Sequence, residues 1–268
     1  MQSMDVIEGH ASHLVMLART TIQNPSRIAM HVDGVTLNMY YGDLQVGRLK
    51  MDNMLIGRGA CAVEPLGHFA PAEGDKANAN ALLTRYLCQH SSVLQIRGDA
   101  PLISQIPYLH SALSTMDSSV IMPPLPVSLL RSSTLLLQPS AMLSFNALSR
   151  LSIPSQIHLC NPLSVPIKIV KITGAVYHQE VKITQMDQDL AEDPILLNAK
   201  QDAVAPQHVY QKLEVGPNQL WSLFNEAMNR NLDVFISSIL DVYVGDYLIK
   251  RLKYEQDHVP AKLSAPFL

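Results

Sequence analysis

Reactive side chains fall into a few short groupings, and each sets out a definite chemistry. Gly57-Arg58-Gly59-Ala60-Cys61-Ala62 fits the pattern G-x-G-x-x-A, in which glycines let a pyrophosphate approach the first turn of a helix. Pro65 follows too closely for that helix, so the stretch reads as a loop. His10 and His13 have the i, i+3 spacing that can put two imidazoles on one helical face for a metal, but no third ligand lies nearby in the chain. Asp187, Asp189, Glu192 and Asp193 offer carboxylate oxygens to calcium without the sixth-position glycine or closing glutamate of an EF-hand, so a solvated loop is favoured. Cys61, Cys88 and Cys160 form no CxxC pair and read as buried free thiols. There is no G-x-S-x-G elbow, and no histidine is placed with Ser, Cys or Asp in a way that marks a triad. Trp221, the only tryptophan, reads as a core anchor on an apolar helix face. These residues point to a protein that is not an enzyme, with no catalytic, metal or cofactor residues.

Composition narrows the partners. The chain has 268 residues, 20 Lys+Arg against 23 Asp+Glu, and a net charge of −3. With no basic run, nucleic acid and anionic membrane surfaces are poor candidates for the main partner. At 47% hydrophobic and 16% charged, the chain has the apolar material for a folded core and lacks the signature of disorder. Residues 1–30 show no basic n-region or long apolar stretch, and apolar runs elsewhere fall far short of the roughly 20 residues that span a bilayer. No transmembrane segment is expected within these residues.

The elements that would carry any site come in two copies. The two Asn-Pro dipeptides, at 24 and 161, define an offset of 137 residues. That offset lays Met30 on Ile167, Val32 on Ile169, Val35 on Ile172, Thr36 on Thr173, Met39 on Val176 and Tyr40 on Tyr177. It continues through Leu44 with Val181, Val46 with Ile183 and Leu49 with Met186, and returns where Leu83, Tyr86 and Leu87 meet Leu220, Leu223 and Phe224. Within each copy the apolar period is two, with a parity change after Val32 and after Ile169 that implies a bulge or bend carrying one strand from sheet to sheet. Tyr41-Gly42-Asp43 and His178-Gln179-Glu180 then read as hairpin turns. Residues 80–90 and 218–229 have helical spacing, and alternation of two resumes after each. The prolines of Met122-Pro123-Pro124-Leu125-Pro126 interrupt any ladder, so the repeats are placed at 1–125 and 126–268. Each unit is mostly β with one short helix.

Asn-Pro opening a strand, an alternating run, a tyrosine about sixteen residues on, a polar turn and a late helix together resemble the late embryogenesis abundant type-two family. Tandem copies at this spacing are also similar to the AsmA-like fungal vacuolar membrane proteins. The resemblance implies two tandem fibronectin/immunoglobulin-like β-sandwiches, with Asn24, Pro25, Tyr40, Asn161, Pro162 and Tyr177 as structural residues at the first strand. It also implies a lumenal or peripheral module of a membrane-associated protein, vacuolar or on another endomembrane, that binds a protein or lipid partner. The alternative is a soluble lipid-carrying module with an apolar cleft. Two departures stand out: the transmembrane helix that usually precedes the family's domain has no counterpart in these residues, and the turn glycine present as Gly42 is Gln179 in the second copy.

Overall fold

A computed structural model describes residues 1–25, 27–98, 114–136, 152–216, 219, 222–223, 225–227 and 232–264. The protein is mainly β, 62% strand and 9% helix. It divides into two compact units: Met1–Leu125 with Leu163–Val165 and Gly245–Tyr247, and Pro126–Pro162 with Pro166–Val244 and Leu248–Leu268.

The first unit begins with a hairpin of β1 (Ser3–Gly9) and β2 (Leu14–Asn24). It continues through β3 (Met30–Val32), β4 (Val35–Tyr41), β5 (Leu44–Met51), β6 (Met54–Ile56), β7 (Gly59–Val63) and β8 (Leu66–Phe69). A short 3-10 turn leads into helix α1 (Lys76–Leu87), followed by β9 (Ser92–Arg97) and β10 (Asp117–Met122). The strand order is β1-β2-β8-β5-β4-β9-β10. Apolar residues recur along α1 at helical spacing, and Ala79, Leu82, Leu83, Tyr86 and Leu87 are all buried. Each buried leucine contributes about 1.5–3 kcal/mol of transfer free energy. The hydroxyl of Tyr86 donates to the carbonyl of Met4 at 2.9 Å, so this buried phenol is satisfied, and burial pushes its pKa well up. Gln89, at φ 61, closes the helix as its left-handed cap, with the His90 amide donating back to the Arg85 carbonyl at 2.8 Å.

The second unit contains β11 (Leu130–Leu136), β12 (Ser152–Cys160), β13 (Ile167–His178), β14 (Val181–Asp189), β15 (Ile195–Leu197), β16 (Asp202–Val204) and β17 (Val209–Leu213). The long β18 (Leu232–Val244) and β19 (Tyr247–Ser264) complete it. The described parts of 219–227 are helical; Leu220, Trp221 and Phe224, assigned to that helix by spacing, lie outside the described residues. β11 pairs antiparallel with β12 and in parallel with β19, so the path β11-β19-β18-β13-β14-β17-β12 closes on itself as a barrel. Among the described residues no pairing joins β1 to β10 in the first unit. The sequence supplies a reason: β10 stops at Pro123-Pro124, which have no amide donors, while β19 runs on to Ser264 and pairs with β11 over its last four residues.

The offset of 137 recurs in the ladders. Val35 pairs with Met51 and Ile172 with Gln188; Met39 pairs with Gly47 and Val176 with Thr184. Both hairpins then slip by one residue at the same place, after Met39 and after Val176. The parity change also has a structural counterpart. Met30–Val32 pairs β6 before Gly34 (φ 64) breaks the strand, and Ile167 to Ile169 pairs β15 before a register shift at 169–171 within a continuous β13. The strand exchanges partners at the bend in both copies.

The turns of these hairpins are two residues long, 42–43 and 179–180. Gly42 takes φ 60 without steric cost, but the second turn holds Gln179 at φ 48 and Glu180 at φ 66. Replacing that pair by Asn-Gly (Q179N/E180G) suits two positive φ angles and should stabilise the second unit by about 1–2 kcal/mol, read as a higher urea midpoint.

Candidate functional site

The sequence candidates are separated by the fold. Gly59 (φ 74) opens β7, which pairs with β2 from Asn24↔Gly59 to Thr20↔Val63, so the loop reading holds for Gly57 and Arg58 while Gly59 to Ala62 of the G-x-G-x-x-A stretch belong to a ladder. His10 and His13 occupy the β1–β2 turn rather than one face of a helix; their rings stack at 4.6 Å, and His10 Nε2 lies 2.8 Å from Glu8 Oε2. Asp187 and Asp189 correct the loop reading, because both lie on β14. Asp187 Oδ1 accepts from Thr173 Oγ1 at 3.1 Å, and Asp193 Oδ1 in the following turn accepts from Gln207 Nε2 at 3.0 Å. These carboxylates are engaged one by one. Cys160 is buried, whereas Cys61 and Cys88 are only half-buried. Among the described residues no three His, Cys, Asp or Glu side chains gather as a metal site.

A groove that sequence reasoning missed lies on the outer face of the first unit. Strand alternation projects Arg48 and Lys50 from the same face of β5. Register then supplies their neighbours: Arg48 stands opposite His68 on β8, and Lys50 opposite Thr36 on β4. His13, from the β1–β2 turn, brings its ring to 5.8 Å from that of His68. With Ala70, Ala72 and Asp75, these side chains line a cavity of about 620 Å³, within the range of small-molecule sites. Lys50 Nζ lies 3.7 Å from Asp52 Oδ2, a half-exposed pair. Arg48 has no ion pair among the described residues.

The pKa of His68 is lowered by burial first, then by His13 and Lys50, with Glu8 and Asp52 opposing. The folded unit therefore holds fewer protons on this ring than the unfolded chain does. This contribution to stability is complete above the ordinary value of about 6.5 and is lost as pH falls through the lowered one. Proton NMR should find His68 titrating below that ordinary value, and Lys50→Gln should move its midpoint up.

The second unit's interior is different. An apolar cavity of about 70 Å³ lies among residues including Ile157, Ile172, Val176 and Leu240. A chain of paired polar groups runs beside it: Thr184 Oγ1 donates to Gln211 Oε1 at 2.6 Å, Gln211 Nε2 donates to Ser155 Oγ at 2.9 Å, and Ser155 Oγ donates to the Val209 carbonyl at 2.7 Å.

No family model and no curated protein matches the chain. Among solved structures it is similar to a protein from Archaeoglobus fulgidus, at 10% identity and TM-score 0.24, over 40% of this chain and 80% of that one. It is also similar to the Pseudomonas aeruginosa CupB2 chaperone, at 9% identity and TM-score 0.18, over 91% and 92% of the two chains. The Enterococcus faecalis MSCRAMM ACE, described as binding its ligands by the collagen hug model, matches at 8% identity and TM-score 0.17, over 99% and 94%. At TM-scores this low none of them bears on the site.

Proposed function

We propose that the chain is a non-enzymatic, duplicated β-sandwich module of a membrane-associated protein, lumenal or peripheral on a vacuolar or other endomembrane, acting by binding a protein or lipid partner. The observation that supports this most directly is the open groove of the first unit, where Arg48, Lys50, His68 and Thr36 converge on a cavity of about 620 Å³. These are groups that hold a ligand by charge and hydrogen bonding. The resemblance to type-two late embryogenesis abundant and AsmA-like repeats supplies the membrane setting. In its favour, Asn24 ends β2 and Asn161 directly follows β12, and both are buried. The alternative, a carrier with an acyl chain in an apolar cleft, has less support: ligand cavities of that kind measure several hundred Å³, against about 70 Å³ inside the second unit.

Among the described residues no helix is long and apolar enough to cross a membrane. Cell fractionation tests the reading. The chain is expected to sediment with endomembranes and to be released, with a cross-linked partner or bound lipid, by high salt or mild detergent. A fully soluble, partner-free pool would count against it.

A further inference from the structure

We propose that the groove on the outer face of the first unit binds a phosphomonoester dianion, with Arg48 and Lys50 as its two cations and His68 and Thr36 as additional hydrogen-bond donors. Arg48 carries a planar fork of donors that matches phosphate oxygens in pairs, and it has no ion-pair partner among the described residues. Lys50 projects from the same strand face two residues on, a separation of about 6.5–7 Å along the strand. Two cations at that span can close on one tetrahedral group from two sides and balance two negative charges. A planar monoanionic carboxylate would occupy only one of them.

Among the described side chains, the acidic groups nearby leave this balance in place. Asp52 is 3.7 Å from Lys50 in a half-exposed pair, an arrangement that contributes little and yields readily to a dianion. Glu8 is held by His10 at 2.8 Å, and Asp75 also lines the cavity. Burial is the main reason the His68 pKa is lowered, and the neighbouring His13 and Lys50 lower it further.

The duplication provides an internal control. Under the shared register, the places of Arg48, Lys50 and His68 fall to Gln185, Asp187 and Lys212 in the second unit. There Asp187 accepts from Thr173, and Gln185 Oε1 accepts from Lys182 Nζ at 2.8 Å. The same sheet face therefore forms without the cation pair, and the fold does not require Arg48 and Lys50 to be basic.

The dianion can come from a soluble phosphate compound or from a phosphomonoester lipid headgroup, and the experiment separates the two. Inorganic phosphate is titrated into isotopically labelled full-length chain, with backbone and imidazole NMR shifts as the readout. In parallel, the chain is sedimented with phosphatidylcholine vesicles containing phosphatidic acid, or phosphatidylserine at equal surface charge. Saturable shifts are expected in β5, β8 and the His68 ring. Affinity should fall at least about tenfold in R48Q/K50Q, whose side chains are exposed, and stay unchanged in K212Q. Preferential sedimentation with phosphatidic acid assigns the headgroup as the source; phosphate binding without it assigns a soluble ligand. The proposal is overturned if neither probe binds, or if R48Q/K50Q binds as the parent does. Because phosphate binding is measured without membranes, its outcome is independent of the fractionation result.

Discussion

Gly47→Ala is expected to destabilise the first unit by about 3–5 kcal/mol, the largest effect of any single methyl group added there. A Cβ at this position would lie 1.9 Å from the His68 carbonyl oxygen, 2.9 Å from its carbon and 3.0 Å from Phe69 Cα. All three are backbone atoms, so no side chain can swing aside. Relief requires β8 to move away from β5 by more than an ångström, across a ladder that runs from Gly47↔Phe69 to Lys50↔Leu66. Phe69 is fully buried, so the same shift opens the core. Hydrogen exchange resolved by peptide reads the two units separately: protection should fall in β5, β8 and α1 and persist in β13 and β18. Gly174→Ala reverses the pattern, since its Cβ would meet the Ser237 carbonyl oxygen at 2.6 Å and Ser238 Cα at 2.7 Å. Normal protection in β8 of the Gly47→Ala protein would show that the approach of the two strands is looser than described.

The contrast between Gly47 and its counterpart Thr184 shows what one-dimensional pattern carries and what it omits. Both lie in a hairpin whose period-two residues and one-residue slip align at an offset of 137, and that much is legible from apolar alternation. Yet Thr184 has room for a buried side chain that bonds Gln211, while Gly47 has none. How near the next strand lies depends on a partner more than twenty residues away. Asp187 and Asp189 misled for a related reason: outward positions of a strand are polar, and two acids separated by Gln188 look like a loop unless Met186 just before them is read as the buried alternate. His10 and His13 suggested a helical face because i, i+3 spacing also fits a tight turn, and the hairpin of β1 and β2 was not anticipated. The groove was hidden most thoroughly. Arg48-x-Lys50 is visible as an outward pair, but His68 joins it only through the β5–β8 register and His13 only through the first hairpin. Comparing the copies would have exposed it, since Arg48-x-Lys50 stands where the second repeat has Gln185-x-Asp187.

Asn161→Ala should destabilise the second unit by about 2–4 kcal/mol, and Asn161→Asp by at least as much. Asn161 is fully buried, and its Nδ2 donates to the carbonyls of Leu197 at 3.3 Å and Asn198 at 2.9 Å. Its backbone amide donates to the Gln201 carbonyl at 2.7 Å, so one residue ties the end of β12 to the turn between β15 and β16. Alanine removes this donor from the buried Leu197 carbonyl, leaves the Asn198 carbonyl only the Gln201 amide at 3.2 Å, and opens a void. Aspartate keeps the volume but sets carboxylate oxygens against those carbonyls, with desolvation and repulsion both opposing it. A residue that merely filled space would tolerate aspartate better than alanine, so the order of the two variants separates the readings. The first repeat repeats the device: Asn24 Nδ2 donates to the carbonyls of Ile28 and Gly57, each at 2.9 Å, and Asn24→Ala should loosen β6 as Asn161→Ala loosens β15. Urea midpoints with peptide-resolved exchange at β6 and β15 would measure both. Equal stability of parent and Asn161→Asp would remove the asparagine from this role, and with it the structural meaning of the Asn-Pro pair from which the duplication was read.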